Sequence, residues 1–165
     1  MSEVQARDLL QGLAASGIRC WLVGGWGIDA LLGHQTRGHH DLDLLVDVQD
    51  LPELDTWLRR EGFRRSYEWD ENAPVEVDGQ LLDTAFVEHH GDGRELDIHA
   101  VHVENGSVHL ATTDSWELPN ETLGGTGRIG GYEVRCASVK GQRAMHAGYN
   151  LPATHLADLR QLDNL

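Results

Sequence analysis

The sequence reads Trp-Leu-Val-Gly-Gly-Trp-Gly-Ile-Asp over residues 21–29 and Thr-Arg-Gly-His-His-Asp-Leu-Asp-Leu-Leu-Val over residues 36–46. The first stretch is an apolar run that ends in a glycine pair, which predicts a buried strand, a tight turn and then a short helix. In the second stretch acidic and apolar residues alternate before the run becomes fully apolar, which predicts a strand with one face in a site. A glycine turn followed closely by an acidic strand predicts that the two lie together in one cleft.

Two carboxylates and two glycines give this cleft its expected chemistry. Asp41 and Asp43 are two residues apart, so on a strand they point in the same direction. Their mutual repulsion is tolerable if they bind a divalent cation, and carboxylate oxygens suit Mg²⁺. Gly24 and Gly25 lack Cβ atoms, so the backbone at the start of the next helix can approach a phosphate closely. Metal and phosphate are therefore expected to meet here.

A third acid is predicted in a later strand. Asp97 lies in the alternating run at 95–99, where a neighbouring position in the sheet would place it beside the first two acids. We interpret it as a metal ligand and as the general base that accepts a proton from an attacking hydroxyl. Arg37 and Lys140 are candidates for neutralising charge on a triphosphate.

Several residues allow both a functional and a structural interpretation. Trp26, next to the glycine turn, is a core residue that could also contact a nucleotide. His39 could orient a carboxylate or contact phosphate, although a histidine is often structural. Asp29 is expected to be structural, either holding the loop that carries Arg37 or capping backbone groups. His155 and Asp158 share a helical face and would form either a wall of the substrate site or a capping pair.

The rest of the chain alternates helical and strand-like patterns. The periodicity predicts helices at 4–15, 50–62, 138–148 and 153–165, with Asp50 and Ser138 as caps and Gly17, Gly62 and Gly148 as ends. Strands at 81–89 and 94–103 and shorter runs downstream are separated by glycine-rich turns, which predicts hairpins. We expect one domain over 1–165, with 138–165 forming a C-terminal helical part.

The composition of the chain limits the kinds of ligand and the cellular compartment that we expect. The chain has 13 Lys and Arg against 27 Asp and Glu, a net charge of 13 − 27 = −14. This charge disfavours nucleic acid as a partner and favours cationic ligands. Cys20 and Cys136 are too few for a disulfide framework, so a reducing compartment is expected. No apolar run is long enough for a membrane span, which predicts a soluble, cytoplasmic protein without a membrane partner. The sequence is compatible with a homodimer.

The motifs resemble those of a known enzyme family. The stretches at 21–29 and 36–43, together with Leu-Asp-Ile-His at 96–99 and the segment at 146–158, are similar to the lincosamide nucleotidyltransferases and the aminoglycoside 2″-adenylyltransferases. These families belong to the DNA polymerase beta-like nucleotidyltransferase superfamily. The similarity extends over nearly the whole chain.

This resemblance implies a fold and a reaction. The implied α/β fold is a twisted mixed β-sheet flanked by helices, with the C-terminal helices closing the cleft. Asp41, Asp43 and Asp97 would be the metal ligands, with Asp97 as the base. Residues 24, 25 and 37 would contact the triphosphate. The implied activity transfers a nucleoside monophosphate, AMP from ATP, to a hydroxyl of an antibiotic-like amino sugar or lincosamide, which is a form of antibiotic resistance.

Two other functions remain open at the level of sequence. His39, His40 and His99 with the aspartates could bind a transition metal and hydrolyse a phosphoester, because imidazole suits zinc and manganese. Alternatively, the chain could bind nucleotide without catalysis, and Asp97 is the position that would distinguish this module from an enzyme. The acidic segment at 68–78 is assigned no role by these patterns.

Overall fold

A computed structural model describes residues 1–147 and 150–165 and shows a mixed β-sheet packed by helices. The helices are α1 (Glu3–Ala15), α2 (Gly24–Leu32), α3 (Leu51–Arg60), α4 (Val139–Met145) and α5 (Ala153–Gln161). The strands are β1 (Cys20–Leu22), β2 (Leu42–Asp47), β3 (Arg64–Glu68), β4 (Val75–Val77), β5 (Gln80–Leu82), β6 (Ala85–His89), β7 (Glu95–Glu104), β8 (Ser107–Leu110), β9 (Glu117–Leu118), β10 (Gly125–Ile129) and β11 (Tyr132–Cys136). The expected α/β class is confirmed.

The central sheet runs in the order β10-β11-β1-β2-β7-β6-β3, and β8 and β9 extend it from β7. Strand β2 pairs in parallel with β7 and antiparallel with β1. The parallel register sets Asp43 opposite Asp97 and Leu44 opposite Ile98. A separate hairpin is formed by β4 and β5. The sheet thus brings the end of β1 and the start of β2 beside the start of β7.

Successive side chains of β2 and β7 point to opposite faces of the sheet, and each face packs against a different hydrophobic cluster. Leu44 and Ile98 belong to the larger core cluster, with residues of α1 and α3. Leu45 and Val101 belong to the second cluster, on the opposite face, together with Trp21 of β1. Since side chains two residues apart share a face, the carboxylates at 43 and 97 point to the side of this second cluster.

Several local predictions are confirmed. The predicted first helix is α1, and Gly17, with φ +78°, follows its end; Ser2 and Gln5 form a reciprocal capping box at its start, which the sequence patterns did not predict. The Asn105-Gly106 turn joins β7 to β8, and both of its residues have positive φ. The Ser138 hydroxyl accepts a hydrogen bond from the Gly141 amide at the start of α4. The predicted end of this helix at Gly148 lies outside the described residues.

Other boundaries differ from the predictions. The glycine pair is the first turn of α2 and does not precede the helix. Asp50 precedes α3, but its side chain forms no cap bond, because it accepts hydrogen bonds from the backbone and guanidinium of Arg19 instead. The strand predicted at 81–89 is interrupted at residues 83–84, so its two halves join different sheets. The last helix ends at Gln161 and continues as a short 3₁₀ turn.

The C-terminal helices lie near the glycine-led helix, since both α4 and α5 contact α2. Gln142 of α4 donates a hydrogen bond to the Leu22 carbonyl, 3.2 Å away, at the end of β1. The organisation as one domain over 1–165, with 138–165 as its C-terminal helical part, stays a prediction. No helix within the described residues is long and apolar enough to cross a membrane.

Candidate active site

The parallel pair β2 and β7 places two aspartates side by side. Asp43 and Asp97 are register partners on adjacent strands, whose backbones are about 4.8 Å apart in a typical sheet. Burial, followed by the charges of Asp41 and Asp97, raises the pKa of Asp43 well above its usual value. Burial also raises the pKa of Asp97, although His99 and a hydrogen bond from Trp69 oppose this effect. The two carboxylates therefore repel each other in a partly desolvated position.

Asp41 lies one residue before β2 and is half-buried. Its charge contributes to the raised pKa values of both Asp43 and Asp97, so all three acids surround one region. Within residues 1–147 and 150–165, however, no three acidic, histidine or cysteine side chains form a ready-made metal cage. Mg²⁺ is usually held by one or two carboxylates plus waters and substrate phosphates. The acids therefore fit a magnesium ion that is completed by a triphosphate.

The glycine pair forms a notch directly against this acidic group. Gly24 has φ +61°, and a Cβ atom built there would lie 2.7 Å from Asp43 Cγ and closer still to its Oδ2. The Val23 amide donates a hydrogen bond to the Asp43 carbonyl, 3.0 Å away, which fixes the start of α2 beside β2. Only a residue without a side chain fits here. The glycine turn and Asp43 are therefore in direct contact, as the sequence predicted.

Two cationic or polar side chains stand over the second glycine. A Cβ atom built on Gly25 would lie 2.6 Å from His39 Cε1 and 2.9 Å from Arg37 Nη2. A ligand oxygen at the start of α2 would therefore lie near an imidazole, a guanidinium and the helix N-terminus. This combination suits an anion.

His39 is buried and held by Asp29. Its Nε2 lies 2.5 Å from Asp29 Oδ2, and Thr36 Oγ1 donates to Asp29 Oδ1 at 2.6 Å. Burial alone would raise the pKa of Asp29, but the hydrogen bonds from His39 and Thr36 outweigh it and lower the pKa. Asp29 thus has the structural role expected of it, fixing the loop before Asp41. The bond at Nε2 directs Nδ1 of His39 toward Gly25.

Trp26 packs over the same histidine, with ring centroids 4.6 Å apart, and is 1% exposed. Its Nε1 is buried and has no hydrogen-bond partner among the groups that the structure describes. Its primary position is therefore in the core under His39. A direct contact with nucleotide stays a prediction.

Arg37 and Lys140, the two candidate triphosphate cations, have different surroundings. The Arg37 guanidinium donates to the Asp158 carboxylate, with Nη2 to Oδ2 at 2.6 Å, and to the Gly38 carbonyl at 3.0 Å. Lys140 is 75% exposed and pairs with Glu121 at 2.5 Å. The structure thus brings Arg37 to the glycine notch and places Lys140 in a surface ion pair. A nucleotide-binding role of Lys140 stays a prediction.

Sequence reasoning missed two residues beside Asp97, Trp69 and Glu71, and considered His99 only as a possible transition-metal ligand. The Trp69 indole Nε1 donates to Asp97 Oδ1 at 2.9 Å. His99 lies between Asp97 and Glu71, with nitrogen-to-oxygen distances of 3.5 Å to each. Trp69 and Glu71 belong to the acidic segment at 68–78 that the patterns left without a role. The available signal was Trp69, an aromatic residue between two acids just after β3. This signal does not show that its indole contacts Asp97 of β7.

We expect Trp69→Phe to lower kcat about tenfold, because removing a hydrogen bond to a site carboxylate typically costs this much or more. The lost N–H stabilises the charged form of Asp97, so its pKa should rise further and the acidic limb of the pH–rate profile should move to higher pH. Steady-state kinetics across pH measure both effects. Trp116→Phe, at an exposed tryptophan, is the control and should change neither.

The histidines do not support a separate transition-metal centre. His39 is directed to Asp29, and the His40 side chain is 81% exposed, 3.9 Å from Glu95. His99 lies against Asp97 and Glu71. These three side chains have different partners, so they do not form the converging set of imidazoles that the phosphoesterase interpretation requires.

A comparison with known proteins gives consistent results. The family model for aminoglycoside-2″-adenylyltransferase matches residues 5–162. The chain is 26% identical to a lincosamide resistance protein of Staphylococcus haemolyticus over 148 residues, covering 88% of this chain and 84% of that one. It is 37% identical to a 2″-aminoglycoside nucleotidyltransferase of Klebsiella pneumoniae over 86 residues, about half of each chain (50% and 49%).

Solved structures show the same fold. The lincosamide adenylyltransferase LnuA, bound to lincomycin, superposes with a TM-score of 0.80 at 24% identity, covering 99% of this chain and 97% of that one. The structure of ANT(2″)-Ia with adenylyl-2″-tobramycin superposes with a TM-score of 0.75 at 24% identity, covering 98% and 87%.

The family match defines the class of protein as a nucleotidyltransferase, and this chain carries paired aspartates on parallel strands beside a glycine-led helix. The chain belongs to the aminoglycoside-2″-adenylyltransferase family. This assignment confirms the resemblance seen in the sequence and decides against the phosphoesterase alternative.

Proposed function

We propose that the protein transfers AMP from ATP, with Mg²⁺, to a hydroxyl group of an antibiotic-like acceptor. The observation that carries this proposal is the contact between the Asp43 carboxylate and the glycine notch. It puts oxygen ligands for a cation directly beside a helix N-terminus that can hold phosphate. A triphosphate held at the start of α2 would therefore lie next to the metal site.

Asp41, Asp43 and Asp97 would hold the magnesium. When bound there, the ion would neutralise the triphosphate and polarise the reacting oxygens. The raised pKa values of Asp43 and Asp97 support this assignment, because burial, followed by the charges of nearby carboxylates, disfavours their ionised forms. A divalent cation would remove that repulsion.

Asp97 would also act as the general base. Its carboxylate would accept the proton of the acceptor hydroxyl as the hydroxyl oxygen forms a bond to the α-phosphorus. The bond from that phosphorus to its bridging oxygen breaks in line, and pyrophosphate leaves. The Trp69 hydrogen bond fixes one carboxylate oxygen of Asp97, and the second oxygen remains for the hydroxyl or the metal. Arg37 and His39, over Gly25, would stabilise charge on the departing phosphates.

The acceptor is proposed from the relatives and from charge. The two solved relatives hold lincomycin and an adenylylated tobramycin. Glu71, beside His99 near Asp97, and the net charge of −14 favour an acceptor with positively charged groups. An amino sugar fits both observations. Cytoplasmic location and a role in antibiotic resistance follow from this proposal.

The test is incubation of the purified protein with Mg²⁺, each of the four nucleoside triphosphates, and a panel of aminoglycosides and lincosamides. Mass spectrometry should detect acceptor plus a nucleoside monophosphate, and pyrophosphate should be released in equal amount. If triphosphate is consumed only to phosphate, with no modified acceptor, the proposal fails.

Asp97→Asn is expected to lower the transfer rate about a thousandfold, because positioned general bases contribute on the order of 10²–10⁴ in rate. The variant keeps its shape and the Trp69 hydrogen bond, so binding of ATP should remain detectable by calorimetry. If turnover is unchanged in Asp97→Asn, Asp97 is not the base. If neither the unaltered protein nor the variant transfers a nucleotide above background, the alternative of a protein that binds nucleotide without catalysis is supported.

A further inference from the structure

A buried acid other than the proposed metal ligands Asp41, Asp43 and Asp97 holds the Arg37 guanidinium. Asp158 of α5 is 4% exposed and receives three hydrogen bonds, from Arg37 Nε at 3.0 and 3.2 Å and from Nη2 at 2.6 Å. The two residues are separated by 121 positions in the chain. The Asp158 hydrogen bond is the largest effect that raises the pKa of Arg37, and burial partly opposes it. A two-oxygen contact of this kind fixes the plane of a guanidinium as well as its position.

The fixed guanidinium faces the glycine notch. Its Nη2 lies 2.9 Å from a Cβ atom built on Gly25, and its charge acts on Asp43. The bonds to Asp158 and to the Gly38 carbonyl use one N–H on each nitrogen. In the described part of the chain, a second N–H on each terminal nitrogen therefore remains for a ligand, and the absence of a side chain at Gly25 lets the guanidinium lie against the start of α2.

We propose that Asp158 is a positioning residue for triphosphate recognition: it holds Arg37 so that its remaining N–H groups meet the β- and γ-phosphates over Gly25. The inference rests on the proposed function, in which Arg37 contacts the triphosphate. Asp158 itself does not contact the nucleotide, because its carboxylate oxygens are occupied by the guanidinium. The C-terminal helix thus contributes to nucleotide selectivity through a side chain on the loop before Asp41.

Nearby charges are compatible with this role. Asp29 and Asp41 also act on Arg37, and both raise its pKa. Asp29 is already bonded to His39 and Thr36, and Asp41 belongs to the metal group. Asp158 is therefore the acid that determines where the guanidinium lies. Without it, Arg37 would be drawn toward the negative charge of the metal ligands.

The test measures how strongly the protein prefers a triphosphate to a monophosphate. Calorimetry in the presence of Mg²⁺ gives the Kd of the protein for α,β-methylene-ATP, which cannot undergo transfer, and its Kd for AMP. Asp158→Asn should weaken the triphosphate analogue about tenfold and leave AMP within about twofold, since coupled polar pairs typically interact at this level. Disturbed packing of α5 alone would weaken both ligands alike.

A double-mutant cycle links the effect to Arg37. Arg37→Ala should cause a similar loss, and adding Asp158→Asn to it should cause no further loss. The control is Asp163→Asn, which removes the exposed ion pair between Asp163 and Arg143, at 2.5 Å, in the same C-terminal part. This control should bind both ligands like the unaltered protein.

Three results would overturn the inference: equal weakening of both ligands by Asp158→Asn, additive losses in the double variant, or unchanged affinity for the analogue. If Asp158→Asn does not fold, Asp158→Glu replaces it, since that variant keeps the charge but displaces the guanidinium. An unaltered triphosphate preference in Asp158→Glu would overturn the inference as well. If the unaltered protein does not bind α,β-methylene-ATP with Mg²⁺, the proposed function fails as well. If it binds this analogue and only the variants behave otherwise than expected, the inference about Asp158 fails alone.

Discussion

Asp43→Asn is expected to abolish transfer while making the metal-free protein more stable. Activity should fall about a thousandfold or more, because a central metal ligand and its charge are lost. In EDTA at neutral pH the Tm should rise by about 3 °C, which corresponds to roughly 1 kcal/mol in a chain of this size. The gain arises because burial and the charges of Asp41 and Asp97 disfavour the ionised form of Asp43.

The stability gain should depend on pH in a defined direction. The pKa of Asp43 is raised in the folded state, so between its ordinary value of 3.8 and the folded value the native protein retains a proton that the unfolded chain has lost. The free energy of unfolding must therefore fall as pH increases through this window. Asparagine does not titrate, so the Tm difference between variant and unaltered protein should be small below pH 3.8 and widen toward neutrality.

Asp47→Asn is the control on the same strand. Asp47 lies at the opposite end of β2, where it binds Arg19 at 3.1 Å and the Gln49 amide at 3.0 Å. Its replacement should lower stability and leave transfer intact. Thermal melts with and without Mg²⁺ provide the measurement. A Tm for Asp43→Asn at or below that of the unaltered metal-free protein at every pH would contradict the repulsion argument.

Gly24→Ala is expected to remove activity and to destabilise the fold. Alanine at φ +61° is strained, and its Cβ atom would overlap the Asp43 carboxylate. Either the start of α2 or the carboxylate must move, and a displacement of about 1 Å in a catalytic site can cost on the order of a hundredfold in rate. Transfer rate and Tm should both fall.

Gly33→Ala separates strain from overlap. Gly33 follows the same helix with φ +76°, but a Cβ atom there meets nothing within 4 Å. It should cost about 1 kcal/mol in stability for its conformation and leave the rate unchanged. Gly25→Ala, without a positive φ but against His39 and Arg37, should weaken ATP binding. If Gly24→Ala and Gly33→Ala lose activity equally, the notch has no specific role.

Much of the site could be predicted because its pattern is local. The two-residue spacing of Asp41 and Asp43 fixes their common direction on any strand, and the glycine pair predicts a close approach wherever it lies. The break at residues 83–84 in the strand predicted at 81–89 was missed because its cause is not local. Thr84 donates to and accepts from the 72–73 segment, and such a tertiary contact has no periodic signature in the run itself.

The sequence by itself determined the class of protein, because glycine conformation and strand alternation are properties of neighbouring residues. Only the tertiary structure decided which side chains complete the site. The Asp43–Asp97 pairing depends on sheet order, the Trp69 bond to Asp97 spans 28 positions, and the Asp158 bond to Arg37 spans 121. Such contacts arise from the packing of separate elements, so no spacing within one element can predict them.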